Sequence, residues 1–316
     1  MREDCWLNLS LFGTATLARS CPTKLSQPLK PLPLCAQSRN LLAYLALARG
    51  QARTRSQLSR ALRGDGAEPA RAGSISSALW RLRQTLESPP FAPGELLSAQ
   101  RDGLIGLRAD APLRVDVDSY LQHVLPVLAL PLADVDAAAE AGLRQGVALY
   151  TGELLPGAHD DWVLREREKL RQIQLNALGR LVQLSVRAGD AAAGVRHAQA
   201  ILDIDDLRED VHRDLMRLYL LAGQRALALR QYESCRQVLR RELSIVPMPE
   251  TQALYQQIAA GAIAHHVPVG TGAGAGTGVE NNSGSNASTG LAELLNSARR
   301  HLAAADTQLL RATLPH

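Results

Sequence analysis

The sequence predicts a mainly α protein in two parts: a small α+β head, then an all-α body of recurring helix pairs. Three observations carry this. Strict two-residue alternation occurs at the start, in Trp6 to Phe12, and is followed by three helical stretches and a hairpin signal. From Val115 to about residue 260 the apolar residues recur at helical spacing. The charge divides at the same place. Residues 1–108 hold 15 Arg and Lys against 7 Asp and Glu, net +8, and residues 109–316 hold 20 against 24, net −4. A basic head on an acidic body suits a phosphate-binding module joined to a protein-binding one, although surface solubility alone would give the same signs.

A chain of 316 residues exceeds a typical single core, so two domains with extras are expected. Aromatic residues are only 3%, so the cores must be built from Leu, Ala and Val. The four cysteines, at 5, 21, 35 and 235, form no CxxC pair, so neither a zinc knuckle nor a thioredoxin-type redox pair is indicated. MREDCWLNLS lacks the basic start and apolar run of a signal peptide. LLAYLALA and VLPVLALPLA are too short to span a bilayer. The expectation is a soluble, cytoplasmic protein with no membrane partner.

In WLNLSLF, Leu7, Leu9 and Leu11 share one face, which predicts a half-buried strand. Residues 14–35 are broken by Pro22, Pro28, Pro31 and Pro33 and suit edge strands of a small antiparallel sheet. Gln37 to Arg49 predicts a helix closed by Gly50. Thr54 with Gln57 forms a capping box that opens a second helix, to about Arg63. A third helix is predicted from Pro69 to Glu87, with Ile75, Leu79, Leu82 and Leu86 inward. Beyond it, ELLSAQRDGLIGLRAD places two apolar runs around Arg101-Asp102-Gly103, a hairpin signal.

Strand, three helices and a terminal hairpin is the order of a winged helix-turn-helix. Its third helix would then enter the major groove of double-stranded DNA and its hairpin would meet the minor groove or backbone. The outer face of that helix supplies the candidate DNA-binding residues Gly73, Ser74, Ser77, Trp80, Arg81, Arg83 and Gln84, and the hairpin turn adds Arg101. Arginines on a helix are more often a solvated face. Trp80 could equally pack against the sheet or wing.

In the body, a first helix is predicted from Val115 to Leu130 with Asp116 or Asp118 as caps, and a second over 133–150. Thr151-Gly152 and Pro156-Gly157 break the chain before Asp160-Asp161 open a long helix to Ala188, with Trp162 wedged at the break. Helix pairs then recur at about 35 residues, as in tetratricopeptide repeats. The expected domains are 1–110, a winged-helix head; 111–264, a helical repeat domain; 265–290, a flexible linker rich in Gly, Ser and Asn; and 291–316, an amphipathic C-terminal helix.

LYTGELLPG followed by DDWVLREREKLR closely resembles the bacterial transcriptional activator domain of Streptomyces-antibiotic-regulatory-type activators. HRDLMRLYLLAGQRALALRQYESCRQVLRRELSIVPMPETQALYQQI matches that domain almost throughout, and LLAYLALARG with ALWRLRQTLE resembles the winged-helix head of the same activators. The resemblance covers about residues 5–260. It implies a DNA-binding transcriptional regulator, contact with RNA polymerase, and self-association as a homodimer. Ser76 stands where such heads often carry an arginine, and Leu104 and Ile105 replace the usual wing aromatic. Those departures keep a second reading open, a repeat scaffold with a degenerate head. A third is the regulatory part of a larger signalling ATPase.

No chemistry is expected. GxxxxGK is absent, since Lys24, Lys30 and Lys169 follow Thr23, Leu29 and Glu168. The histidines show no HExxH, and His159-Asp160-Asp161 has no nucleophile beside it. No enzyme activity, cofactor or metal is therefore expected.

Overall fold

The computed structural model describes residues 5–21, 30–48, 50–62, 72–99 and 103–261. The chain divides into two compact units, Met1–Pro131 with Val135–Gln174, and Leu132–Asp134 with Leu175–His316.

In the first unit, β1 (Trp6–Ser10) pairs antiparallel with β2 (Thr16–Ser20), which pairs antiparallel with the short β3 (Lys30–Pro31). Alternation along β1 buries Leu7 and Leu9, and Leu11 just beyond it, under the helices. Three helices follow: α1 (Ala36–Leu47), α2 (Arg55–Ala61) and α3 (Ala72–Leu86). The capping box opening α2 forms as the sequence predicts. Gln57 N donates to Thr54 Oγ1 at 3.2 Å and Thr54 N donates to Gln57 Oε1 at 2.9 Å. α3 buries Ile75, Ala78, Leu79, Leu82 and Leu86, against α1 and α2. The wing is β4 (Leu97–Ala99) paired antiparallel with β5 (Ile105–Leu107), and Arg53 bridges Ile105 to join the α1–α2 connection to it.

The sheet is completed by a strand that the sequence reading missed. β6 (Leu113–Val115) lies parallel to β1, so the sheet order is β3-β2-β1-β6. The sequence boundary at 110/111 therefore falls inside the first unit, because the next three-residue strand belongs to the head's own sheet. α4 (Asp116–Ala129) starts directly after β6. Asp116 stands at the first position of this helix, where its Oδ1 accepts from Val117 N at 2.8 Å. Its Oδ2 accepts from Leu11 N at 2.8 Å and Phe12 N at 3.0 Å, the two backbone donors left free where β1 ends. Burial pushes the Asp116 carboxyl pKa up, against the pull of the N–H groups it accepts from.

α5 (Ala137–Leu149) is capped by Asp136, whose Oδ1 accepts from Ala139 N at 2.7 Å. It crosses α4 closely at Gly146, where an added Cβ would meet Val124 Cγ2 at 2.7 Å and His123 Cβ at 2.9 Å. The loop that follows is stitched to the end of β1. Gly13 N donates to Glu153 O, Leu155 N donates to Leu11 O, and Phe12 bridges Leu154. Arg167 on α6 (Asp161–Ala188) donates to the carbonyls of Leu154, Leu155 and Ala158. Those bonds hold Leu155 at φ +47, a left-handed conformation that a leucine adopts only under such constraint.

The second unit takes the last part of α6 with α7 (Ala191–Ile204), α8 (Glu209–Leu221), α9 (Arg225–Leu243) and α10 (Pro249–Ala259). The repeat is visible in its turns. At Gly189-Asp190, Asp190 N reaches back to Ser185 O and Gly189 N to Val186 O; at Gly223-Gln224, Gln224 N reaches Tyr219 O and Gly223 N reaches Leu220 O. Both glycines sit at φ +73, the Schellman closure that needs a residue without a Cβ. They lie one tetratricopeptide-like period of about 34 residues apart. Met216, Ala228, Tyr232, Leu254 and Ile258 form the core between α8, α9 and α10. The expected linker 265–290 and helix 291–316 lie outside the described residues.

Candidate nucleic-acid interface

α3 is amphipathic because its apolar residues keep to one stripe, which turns its other residues outward. Ser77, Trp80, Arg81 and Gln84 follow one another at i, i+3, i+4 and i+7 on the outer side, and all four are exposed, with Arg83 exposed beside them. Trp80 is 63% exposed, so it packs on neither sheet nor wing. Gly73 and Ser74 lie in the first turn of α3. Arg101 lies outside the described residues.

The C-terminal end of α3 is held by specific contacts. Glu87 Oε1 accepts from Leu97 N at 3.0 Å and ties the end of the helix to the wing. Arg19 of β2 donates to Ser88 Oγ at 2.8 Å and to Pro89 O at 2.6 Å, and its guanidinium lies 5.5 Å from the Phe91 ring centroid. The sheet thus fixes the segment in which α3 ends. Cys35, exposed at the start of α1, has its thiol pKa lowered, chiefly by hydrogen bonding to Ser38 and to a smaller degree by Arg81. Arg81 therefore lies within reach of both the outer face and the first turn of α1.

Sequence reasoning named no residue of α2 as a DNA-binding candidate. The structure adds Arg55 and Arg60, both exposed on that helix, which packs against α3. The signal was present in RTRSQLSR, three arginines around a capping box. An open groove of about 820 Å³ runs beside the wing between α1 and α4, past Leu113, Leu121 and Leu125. None of the candidate DNA-binding residues lines it. Among the described residues no group of three or more His, Cys, Asp or Glu is placed to hold a metal ion, and no helix is long and apolar enough to cross a membrane.

The family model of the bacterial transcriptional activator domain matches residues 115–259. Over 226 residues the chain is 28% identical to the regulatory protein AfsR of Streptomyces coelicolor, which covers 70% of this chain and 22% of AfsR. It is 24% identical over 273 residues to the transcriptional regulatory protein MoaR1 of Mycobacterium bovis, covering 80% of this chain and 81% of MoaR1. The chain thus spans about a fifth of the length of AfsR. Among solved structures, EmbR of Mycobacterium tuberculosis, in complex with a low-affinity phosphopeptide, superposes with a TM-score of 0.63 at 21% identity. That match covers 81% of this chain and 65% of the EmbR chain and supports the fold, a small sheet-bearing head followed by helical repeats. Residues 115–259 are thus similar to the bacterial transcriptional activator domain, and they follow a head of three helices, a small sheet and a wing.

Proposed function

We propose that this protein is a transcriptional regulator that binds double-stranded promoter DNA through α3 and acts through its helical body. The observation that carries the reading is the exposed stripe Ser77, Trp80, Arg81 and Gln84 on the third helix of a winged-helix head. In such a head the third helix is the element that fits a major groove about 12 Å wide. Arg81 and Arg83 are assigned to guanine edges or phosphates, Ser74, Ser77 and Gln84 to polar base or phosphate contacts, and Trp80 to the sugar–phosphate backbone. Gly73 is assigned to close approach of the first turn, and Arg101 to the neighbouring backbone. AfsR and MoaR1 are named as regulatory proteins, which favours the same role here. RNA polymerase as partner of the body, a homodimer and a cytoplasmic location belong to this reading, as does a role without catalysis.

The test is binding of the full chain to duplex DNA from its own upstream regions, measured across salt concentrations. Regulatory binding requires affinity that falls steeply with salt as counterions leave the phosphates. Arg81→Ala should weaken the specific site by about 1–3 kcal/mol with an unchanged melting temperature. A chain that shows no salt-dependent binding to any duplex is a scaffold instead.

A further inference from the structure

We infer that the Cys5–Cys21 disulfide is a redox-sensitive clasp that sets how firmly α3 is held, and through it the affinity for DNA; the second half of this rests on the DNA-binding reading above. The two cysteines face each other one position beyond the Trp6–Ser20 pair of the β1–β2 ladder, with Cα atoms 4.3 Å apart, and are joined. Register puts their side chains on a defined face. Leu7 pairs with Arg19 and Leu9 with Leu17, so Cys5, Leu7 and Leu9 share a face with Leu17, Arg19 and Cys21. Arg19 is therefore the same-face neighbour of Cys21, two residues along β2.

Arg19 is also the side chain that grips the segment after α3, through Ser88 Oγ, Pro89 O and the face of Phe91. The open end of the β1–β2 hairpin, its disulfide and the anchor of the candidate recognition helix thus form one continuous chain of contacts. On its other side β2 pairs, among the described residues, with the two-residue β3 at Ala18 and Arg19. With the bond closed, β2 cannot fray from β1 and Arg19 stays in place. With the bond open, the last residues of β2 lose their covalent tie to β1 and keep only the ladder hydrogen bonds and the contacts of Arg19, which open locally at lower cost.

The chemistry is thiol–disulfide exchange with a dithiol reductant. Its thiolate attacks Cys21 Sγ, the less buried sulfur, forming a mixed disulfide and expelling the Cys5 thiolate, which takes up a proton. The second thiol of the reductant then displaces Cys21 as a thiol and leaves as a cyclic disulfide. Two electrons pass to the protein, and reoxidation by a disulfide-class oxidant reverses both steps.

The experiment uses the full chain with and without dithiothreitol, beside a Cys5→Ser/Cys21→Ser double variant. Hydrogen exchange and DNA affinity are read on each. Reduction should speed amide exchange several-fold in 16–20 and in 83–91, leave 211–239 unchanged, and weaken DNA binding several-fold. The double variant, which keeps Cys35 and Cys235, should match the reduced chain and ignore the reductant. If that variant does not fold, the wild-type pair of states still decides. Unchanged exchange at 83–91, or equal affinity in both states of a chain that binds DNA, overturns the clasp. A chain that binds no DNA in either state removes the DNA reading, and exchange at 83–91 alone then decides whether the clasp exists.

Discussion

The indole Nε1 of Trp162 donates a hydrogen bond to the backbone carbonyl of Ala61 at 2.9 Å. Ala61 is the last residue of α2, so Trp162 at the start of α6 closes a helix of the head. Its ring also meets Tyr44 of α1 edge-on, with centroids 5.1 Å apart. Trp162→Phe should cost about 1 kcal/mol, the net worth of the hydrogen bond. Trp162→Ala should cost about 3–5 kcal/mol by opening a cavity. Chemical denaturation checks both. For the same reason a 1–110 fragment, which lacks β6, Asp116 and Trp162, should show no cooperative melt by circular dichroism.

Tyr120 lies fully buried between Phe12 and Tyr150, and its hydroxyl has no hydrogen-bond partner among the described residues. Burial raises its pKa, so the group stays neutral at any ordinary pH. Tyr120→Phe removes an unsatisfied polar atom and keeps the ring, so it should stabilise the protein by about 1 kcal/mol. A lower melting temperature for this variant would show that the hydroxyl has a partner after all.

Gly146 and Gly179 are both helical glycines and should respond to alanine in opposite senses. At Gly146 a methyl group would press on Val124, a β-branched side chain with no second rotamer to take, and on the His123 Cβ. Overpacking of about 1–3 kcal/mol should exceed the helix-propensity gain of about 1 kcal/mol. Around Gly179 nothing lies within 4 Å, so alanine there should stabilise by about the propensity gain alone. Thermal melts of the two single variants compare the cases directly.

What the sequence made legible was whatever is local. The alternation of Leu7, Leu9 and Leu11 and the Thr54–Gln57 box each depend on residues a few positions apart. They appear in the structure where the pattern placed them. The outer stripe of α3 was legible for the same reason, as the complement of its apolar stripe. What was missed is long-range. β6 is three residues long, too short for a periodic signal, and exists because β1 offers it an edge. Asp116 reads locally as a helix cap, and one oxygen does serve the helix start at Val117, yet the other is used more than a hundred residues away, at Leu11 and Phe12. Cys5 and Cys21 carry no spacing signature, and only strand register brings them together.

The two free cysteines should differ sharply towards an alkylating reagent. Cys35 is exposed and its pKa is lowered, first by Ser38 and then by Arg81, so more of it is thiolate at neutral pH than of an ordinary cysteine. Its rate of modification by iodoacetamide should rise with pH to a midpoint below the usual thiol range. Cys235 is fully buried in α9, and burial, with a contribution from Glu209, pushes its thiol up to about 12. It should react only on unfolding. Peptide mapping after timed alkylation separates the two. Ser38→Ala should move the Cys35 midpoint upward, because it removes the larger of the two lowering influences.

The last described helix of the repeat array is closed by side chains of the helices before it, which gives a test of the array's cooperativity. The N-cap of α10, Met248, has no capping side chain, and Glu209 on α8 takes that part. Its Oε1 accepts from Met248 N at 2.7 Å and from Thr251 Oγ1 at 2.5 Å. At the other end Arg225 on α9 donates to Ile258 O at 2.9 Å and to Ala259 O at 2.7 Å. α8 and α9 thus satisfy groups of α10 that a helix of this length leaves open. Each cap should be worth about 1 kcal/mol. Because α10 also supplies Leu254 and Ile258 to the core, its loss should expose Met216 and Tyr232. Glu209→Ala and Arg225→Ala should therefore each speed amide exchange first in 249–259 and next in α9, with the wing and α3 unaffected. Their effects should add in the double variant, since the two caps share no partner. Exchange that rises uniformly over the chain would mean that α10 does not open as a separate unit.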